Sequence, residues 1–463
     1  MAEKFDIIVI GGGPGGYAAA IRCAQKGASV ALVEKAQMGG TCLNRGCIPS
    51  KALLASAHFL TLAKHAQLMG LDIGSLTPNW SKIQQRKEAI VAAFCKGVTG
   101  LVQGNKIKIF QGKGIVTEPG KIQVRTDSDN IDLEAKNIII ATGSEPIQIP
   151  AFAFDGETII SSKEALSLPE IPESMVIIGG GVIGCELACV YATVGTKVTI
   201  VEALSQILPN EDEWVGKIMA KELKKLGIES LISQKVTAVN ASAGIAKVSL
   251  ESGQSIETEK VLVAVGRKAV CDKETIDNLG LKTNGDAIAV NGKMETNIPG
   301  VYAIGDVVGT TFLAHGAFTE AEVAAVNAVG GDEKMGDYDL IPRAVYSFPE
   351  VASVGKNEKK CAEAGIETVI GKAMFRSNGR SVAHNENIGE VRVIKNKATN
   401  EIMGITIVGA TATEMIAIAR ALIGIKEQIS DVSFAHPTVS EVLKEAWEDA
   451  FGLGLHVPPK PKN

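Results

Sequence analysis

From Lys4 to Glu34 the chain reads KFDIIVIGGGPGGYAAAIRCAQKGASVALVE: an apolar strand over Lys4–Ile10, the loop Gly11-Gly12-Gly13-Pro14-Gly15-Gly16, an alanine-rich helix from Tyr17 to Lys26, and a second strand over Ala28–Glu34. A continuous apolar run of strand length fits a strand buried on both faces, as in a parallel sheet covered by helices. Gly11, Gly13 and Gly16 are spaced so that the backbone turns tightly, admits a pyrophosphate and packs the helix on the strand, with the helix N-terminus facing the phosphate charge. Glu34 falls where a carboxylate accepts hydrogen bonds from a ribose hydroxyl.

The same grammar returns at Ser174–Ile178, Gly179-Gly180-Gly181-Val182-Ile183-Gly184, a helix from Cys185 and a strand over Lys197–Glu202. In both copies 23 residues separate the first glycine from the glutamate. One such loop is weak as a signal. Two, each between a strand and a helix, point to two dinucleotide sites on two doubly wound sheets, with Gly179, Gly181, Gly184 and Glu202 at the second. Ala203, Leu204, Ser205 and Gln206 follow Glu202 and offer no cation to a 2′-phosphate, which favours NAD over NADP.

With 463 residues the chain exceeds what one core normally supports, and about three domains are expected. Phe59–Val102 reads as helical and Lys106–Ile140 as short strands. Ala303-Ile304-Gly305-Asp306 precedes a helix over Leu313–Val329. After Pro342 an α+β pattern follows, with strands near Ala344–Phe348, Val391–Ile394 and Ile402–Val408 and helices at Thr413–Ile423 and Ser440–Phe451. The fold class is α/β: two Rossmann-like dinucleotide-binding domains plus a C-terminal α+β domain, divided at 1–147, 148–271, a returning segment 272–342, and 343–463.

A net charge of -5 with both signs interspersed provides no basic field for nucleic acid or an anionic membrane. No apolar run reaches the roughly 20 residues that span a bilayer. The chain enters its first strand within a few residues, leaving no room for a signal peptide, so a cytoplasmic location is expected.

In that reducing setting the eight cysteines are not a disulfide scaffold. Only Cys42 and Cys47 lie in a suggestive context, Gly39-Gly40-Thr41-Cys42-Leu43-Asn44-Arg45-Gly46-Cys47-Ile48-Pro49-Ser50-Lys51. Residues five apart on a regular helix diverge, so if the two bond, the segment bends, and Gly46 supplies the freedom. Pro49 suits the first turn of a helix beginning near Ile48. Cys47 then sits at a helix N-terminus with Lys51 one turn on, and both lower a thiol's pKa. A metal site or idle thiols are the alternatives; no second CxxC or His pair completes a metal set.

These motifs resemble the flavoprotein disulfide reductase family over essentially the whole chain. Cys42–Lys51 is most similar to the CLNxGCIPSK form found in the members that reoxidise dihydrolipoyl groups. The resemblance implies FAD at the first loop and NAD at the second, with Thr41, Gly114, Thr142, Gly143, Ser144, Gly266, Asp306, Leu313, Ala314 and His315 among the cofactor contacts, and Lys51 paired with Glu186 beside the flavin nitrogen. It implies a redox disulfide between Cys42 and Cys47, and an acid–base pair, His436 and Glu441, in His436-Pro437-Thr438-Val439-Ser440-Glu441, reaching the disulfide of the other subunit of a homodimer. The implied partners are lipoyl domains of 2-oxo-acid dehydrogenase acyltransferases or the glycine cleavage H protein.

Phe434 and Gly316 depart from the commonest pattern, which has histidine and lysine there, and leave binding of a particular acyltransferase open. Glutathione and trypanothione reductases usually have lysine in place of Ser50 and use NADPH. Mercuric reductase has a C-terminal cysteine pair, and 458–463 carry none. A purely structural subunit of an assembly is the remaining alternative, set against an intact thiol pair, base and both loops.

Overall fold

The computed structural model describes residues 2–423 and 432–457; the cysteine-free end 458–463 lies outside them. β1 (Glu3–Ile10), α1 (Pro14–Gln25) and β2 (Val30–Glu34) form the first βαβ unit, with β1 and β2 parallel. Ile7 and Val9 enter one buried cluster while Ile8 and Ile10 enter another, so both faces of this end of β1 are covered and every residue from Ile7 to Ile10 is apolar.

Three helices follow: α2 (Gly40–Arg45), α3 (Cys47–Lys64) and α4 (Trp80–Gly104). The sequence suggested one helical region from Phe59 to Val102. It is interrupted, because Gly70 adopts φ +77 and ends a short 3-10 turn, and regular helix resumes only where the Asn79 side chain caps the Lys82 N–H. The strands β3 (Lys108–Gln111), β4 (Lys113–Glu118), β5 (Lys121–Arg125) and β6 (Asn130–Ile140) complete a sheet of order β3-β2-β1-β6-β5-β4. Val301–Ala303 pairs in parallel with the end of β6, returning the chain to this sheet.

The second unit is β7 (Ser174–Ile178), α5 (Val182–Val194) and β8 (Lys197–Val201), again parallel. Its helix begins at Val182, three residues before the expected start, with Gly181 as its N-cap. α6 (Ala314–Ala328) packs on α1.

The C-terminal region is an antiparallel sheet of β9 (Arg343–Val345), β10 (Val351–Gly355), β11 (Thr368–Met374), β12 (Glu390–Asn396) and β13 (Ile402–Val408), in the order β9-β10-β13-β12-β11. α7 (Ala412–Leu422) and α8 (Glu441–Ala450) pack against it. β10 and β11 were not expected. β11 carries Gly371, where a Cβ would lie 2.0 Å from the Ala446 carbonyl, so the close approach of α8 requires a residue of poor strand propensity. Among the described residues no helix is long and apolar enough to cross a membrane.

Candidate active site

The two glycine loops are built alike. Gly11 and Gly179 have φ of +106 and +108, and a Cβ at either would meet the carbonyl of Ala141 or Ala264 at 2.2 or 2.5 Å. At Gly16 and Gly184 it would strike the carbonyl of the first loop glycine at 1.8 and 2.0 Å. Gly11 and Gly179 are demanded by their positive φ and the end of the neighbouring strand, Gly16 and Gly184 by the approach of helix to strand. The middle ones are not: the nearest atom to a Cβ at Gly13 is 3.9 Å away, and nothing lies within 4 Å at Gly181. The open side of both loops leaves room for a pyrophosphate.

Buried Glu34 accepts from the Gly12 N–H at 2.6 Å and the Ala36 N–H at 2.7 Å. Buried Glu202 repeats this with Gly180 and Leu204, both at 2.7 Å. Each carboxylate oxygen has a second lone pair free for a ribose hydroxyl.

At the first loop, β6 leads into Thr142, whose buried hydroxyl has no hydrogen-bond partner among the described residues, and Gly143, at φ +80. Ser144 donates to the Asp306 carboxylate and accepts from Arg267 Nε at 2.8 Å, while Arg267 Nη2 donates to the Ser144 carbonyl at 2.7 Å. Arg267, the neighbour of Gly266, braces both groups. The partnerless hydroxyl, the open Gly13 and the oriented Asp306 fit a flavin dinucleotide.

Leu313 caps α6, with Ala314 and His315 in its first turn; His315 Nε2 lies 2.6 Å from the Pro342 carbonyl. Gly114 stands on β4, where a Cβ would come within 3.0 Å of Ile10 and 3.2 Å of Val33, so its smallness also serves sheet packing.

The redox segment bends at Gly46. α2 ends at Arg45 and α3 starts at Cys47, and a Cβ at Gly46 would approach the Thr41 carbonyl at 2.9 Å. Cys42 and Cys47 are thiols in hydrogen-bond contact. Donation from Cys42 and the nearby Lys51 ammonium hold Cys47, exposed at the start of α3, down at about 7, whereas donating and partial burial hold Cys42 well above the usual thiol range. Lys51 Nζ reaches both oxygens of Glu186 on α5, at 2.9 and 2.8 Å, and lies 4.3 Å from the Tyr346 ring centroid. The Glu186 side chain is 5% exposed and also accepts from the Tyr346 N–H at 3.1 Å. The pair thus joins the redox helix to the second dinucleotide unit and to the C-terminal sheet.

Lys51→Gln is expected to raise the pH at which the Cys47 thiolate forms, since it removes the cation and leaves Glu186 facing it. The thiolate forms above about 7 and is lost as pH falls below it. Ultraviolet thiolate absorbance of the reduced protein, titrated in wild type and variant, checks this; coincident curves would remove Lys51 from the account.

His436 is the N-terminal end of another constellation. Its Nδ1 lies 3.0 Å from Glu441 Oε1, whose second oxygen accepts from the Thr438 N–H at 2.8 Å. Burial raises the Glu441 carboxyl, but Thr438 and His436 outweigh it, leaving it below the usual range and ionised at neutrality. With Nδ1 occupied, Nε2 points outward from a side chain that is 80% exposed. No hydrogen bond joins it to Cys42 or Cys47 of its own chain among the described residues. No cluster that could hold a metal ion occurs among them either.

The chain belongs to the pyridine nucleotide-disulphide oxidoreductase family, which it matches over residues 5–325, with that family's dimerisation domain over residues 341–447. It is 39% identical to a dihydrolipoyl dehydrogenase of Bacillus subtilis, over 97% of this chain and 99% of the relative, and 39% identical to the dihydrolipoyl dehydrogenase of Geobacillus stearothermophilus, over 99% of both. The hypochlorous-acid-induced flavoprotein disulfide reductase of Escherichia coli has the same fold, with a TM-score of 0.87 at 25% identity, over 96% of this chain and 99% of the other.

Proposed function

We propose that this chain oxidises protein-bound dihydrolipoyl groups to lipoyl groups and reduces NAD+, the activity of dihydrolipoyl dehydrogenases. The observation that carries the reading is the thiol pair across the Gly46 bend, Cys42 on α2 and Cys47 at the start of α3, tied by Lys51–Glu186 to the helix of the second dinucleotide unit. FAD would be held by the first loop with Glu34, Thr142 and Asp306, and NAD by the second with Glu202. When bound, FAD supplies the two-electron chemistry linking the dithiol to NAD+.

The protein's own residues handle sulfur and protons. His436 Nε2, its ring oriented by Glu441, takes a proton from the substrate dithiol. With the pair in its oxidised, disulfide form, the resulting thiolate attacks Cys42 Sγ, the Cys42–Cys47 bond breaks, and Cys47 leaves as a thiolate stabilised by the helix N-terminus and Lys51. The second substrate sulfur, losing its proton, attacks the mixed disulfide and frees the Cys42 thiol. The outward-facing His436 suits service to a partner subunit's thiol pair in a homodimer. Residues 1–147 with 272–342 form the FAD-binding part, 148–271 the NAD-binding part and 343–463 the interface. The reading makes the protein a cytoplasmic component serving lipoyl domains of 2-oxo-acid dehydrogenase acyltransferases or the glycine cleavage H protein.

Anaerobic titration of the purified protein with dihydrolipoamide, followed by NAD+, tests this. The flavin's visible spectrum should change on the first addition and NADH should appear on the second. A spectrum left unchanged by dihydrolipoamide would overturn the assignment and direct attention to another disulfide substrate.

A further inference from the structure

Glu320, on α6, is a carboxylate the reaction above does not use. It is 1% exposed, and no cation lies among its contacts. One oxygen accepts from the Gly305 N–H at 2.6 Å and the other from the Tyr338 hydroxyl at 2.9 Å. Burial, with Asp306 nearby, pushes the carboxyl up to about 7. Gly305 has φ +73 and immediately precedes Asp306, whose side chain is fixed by Ser144. Tyr338 lies three residues before the dimerisation region, in a short turn capped by Asp337. The two ends of the bridge therefore belong to the turn that presents Asp306 and to the segment that leads into the interface.

We propose that Glu320 is a positioning residue: it fixes the backbone of the Gly305–Asp306 turn and ties it to Tyr338, so that retention of FAD depends on how the interface region docks. The proposal rests on the FAD assignment above. Asp306 is then held twice, through its side chain by Ser144 and Arg267 and through its backbone by Glu320. Both contacts survive either protonation state, because a protonated carboxyl keeps one oxygen for Gly305 and turns its hydroxyl towards Tyr338. A glutamine does the same with its carbonyl and amide, whereas leucine of similar size can do neither.

The test is the rate at which FAD leaves the holoenzyme, read from the rise in flavin fluorescence in mild chaotrope. Glu320→Leu should release FAD about tenfold or more faster than wild type, Glu320→Gln should stay within about twofold, and Tyr338→Phe should fall between. Affinity for NADH at the second loop serves as a reference that a local change at Gly305 leaves in place. Leucine holding FAD as long as wild type, or glutamine leaking as fast as leucine, overturns the bridge. If the leucine variant does not fold, Tyr338→Phe decides: release at the wild-type rate overturns it. A wild-type protein that neither carries nor takes up FAD would instead sink the flavin assignment itself.

Discussion

Replacing Cys47 with serine is expected to lower dihydrolipoamide-dependent NAD+ reduction by at least about a thousandfold while leaving FAD bound. A serine hydroxyl cannot close a disulfide with Cys42, and it does not ionise near neutrality as the Cys47 thiol does. Cys42→Ser should cost as much, since the substrate thiolate then has no sulfur to attack. Steady-state NADH formation measures both, and the flavin spectrum confirms that the site is otherwise intact. Substantial turnover in either variant would mean that the pair does not carry the electrons, and the structural-subunit alternative would regain weight.

The second large effect is at His436. His436→Gln is expected to reduce turnover with dihydrolipoamide by about a hundredfold to ten-thousandfold, the range for loss of a general base. Glu441→Gln should cost less, because it disturbs the ring's orientation and charge without removing the base. The ring stands on the exposed side of the C-terminal region and contacts neither cysteine of its own chain. Hybrid dimers of Cys47→Ser and His436→Gln chains should accordingly regain activity that neither parent shows, since one site then combines an intact thiol pair with an intact histidine. Hybrids that form but stay inactive would place both functions within one chain.

What could be read from the sequence was local. The glycine loops and the cysteine segment announce themselves because their constraints act within a few residues: a positive φ at Gly11, a close approach at Gly16, a bend at Gly46. The motif strings placed His436 and Glu441 together for the same reason. Glu320 went unread, since nothing within the helix around it distinguishes it from a solvated glutamate; its meaning comes from Gly305 and Tyr338, which only tertiary structure brings to it. Arg267 is similar: Gly266 beside it was read, but the brace on Ser144 spans 123 residues of chain. β11 escaped because Gly371 answers to packing across layers and defeats a propensity reading.

The twin clamps at Glu34 and Glu202 bear on redesign of coenzyme preference. Exchanging Glu202 for a neutral or basic side chain is the obvious way to admit a 2′-phosphate. Yet this carboxylate is also the acceptor that holds the Gly180 and Leu204 amides. Removing it would slacken the loop for both coenzymes, and a lower melting temperature of the variant without any nucleotide would expose that cost. A successful switch therefore has to leave the glutamate's scaffolding role in place, or supply another acceptor for those two amides, before adding the new cation.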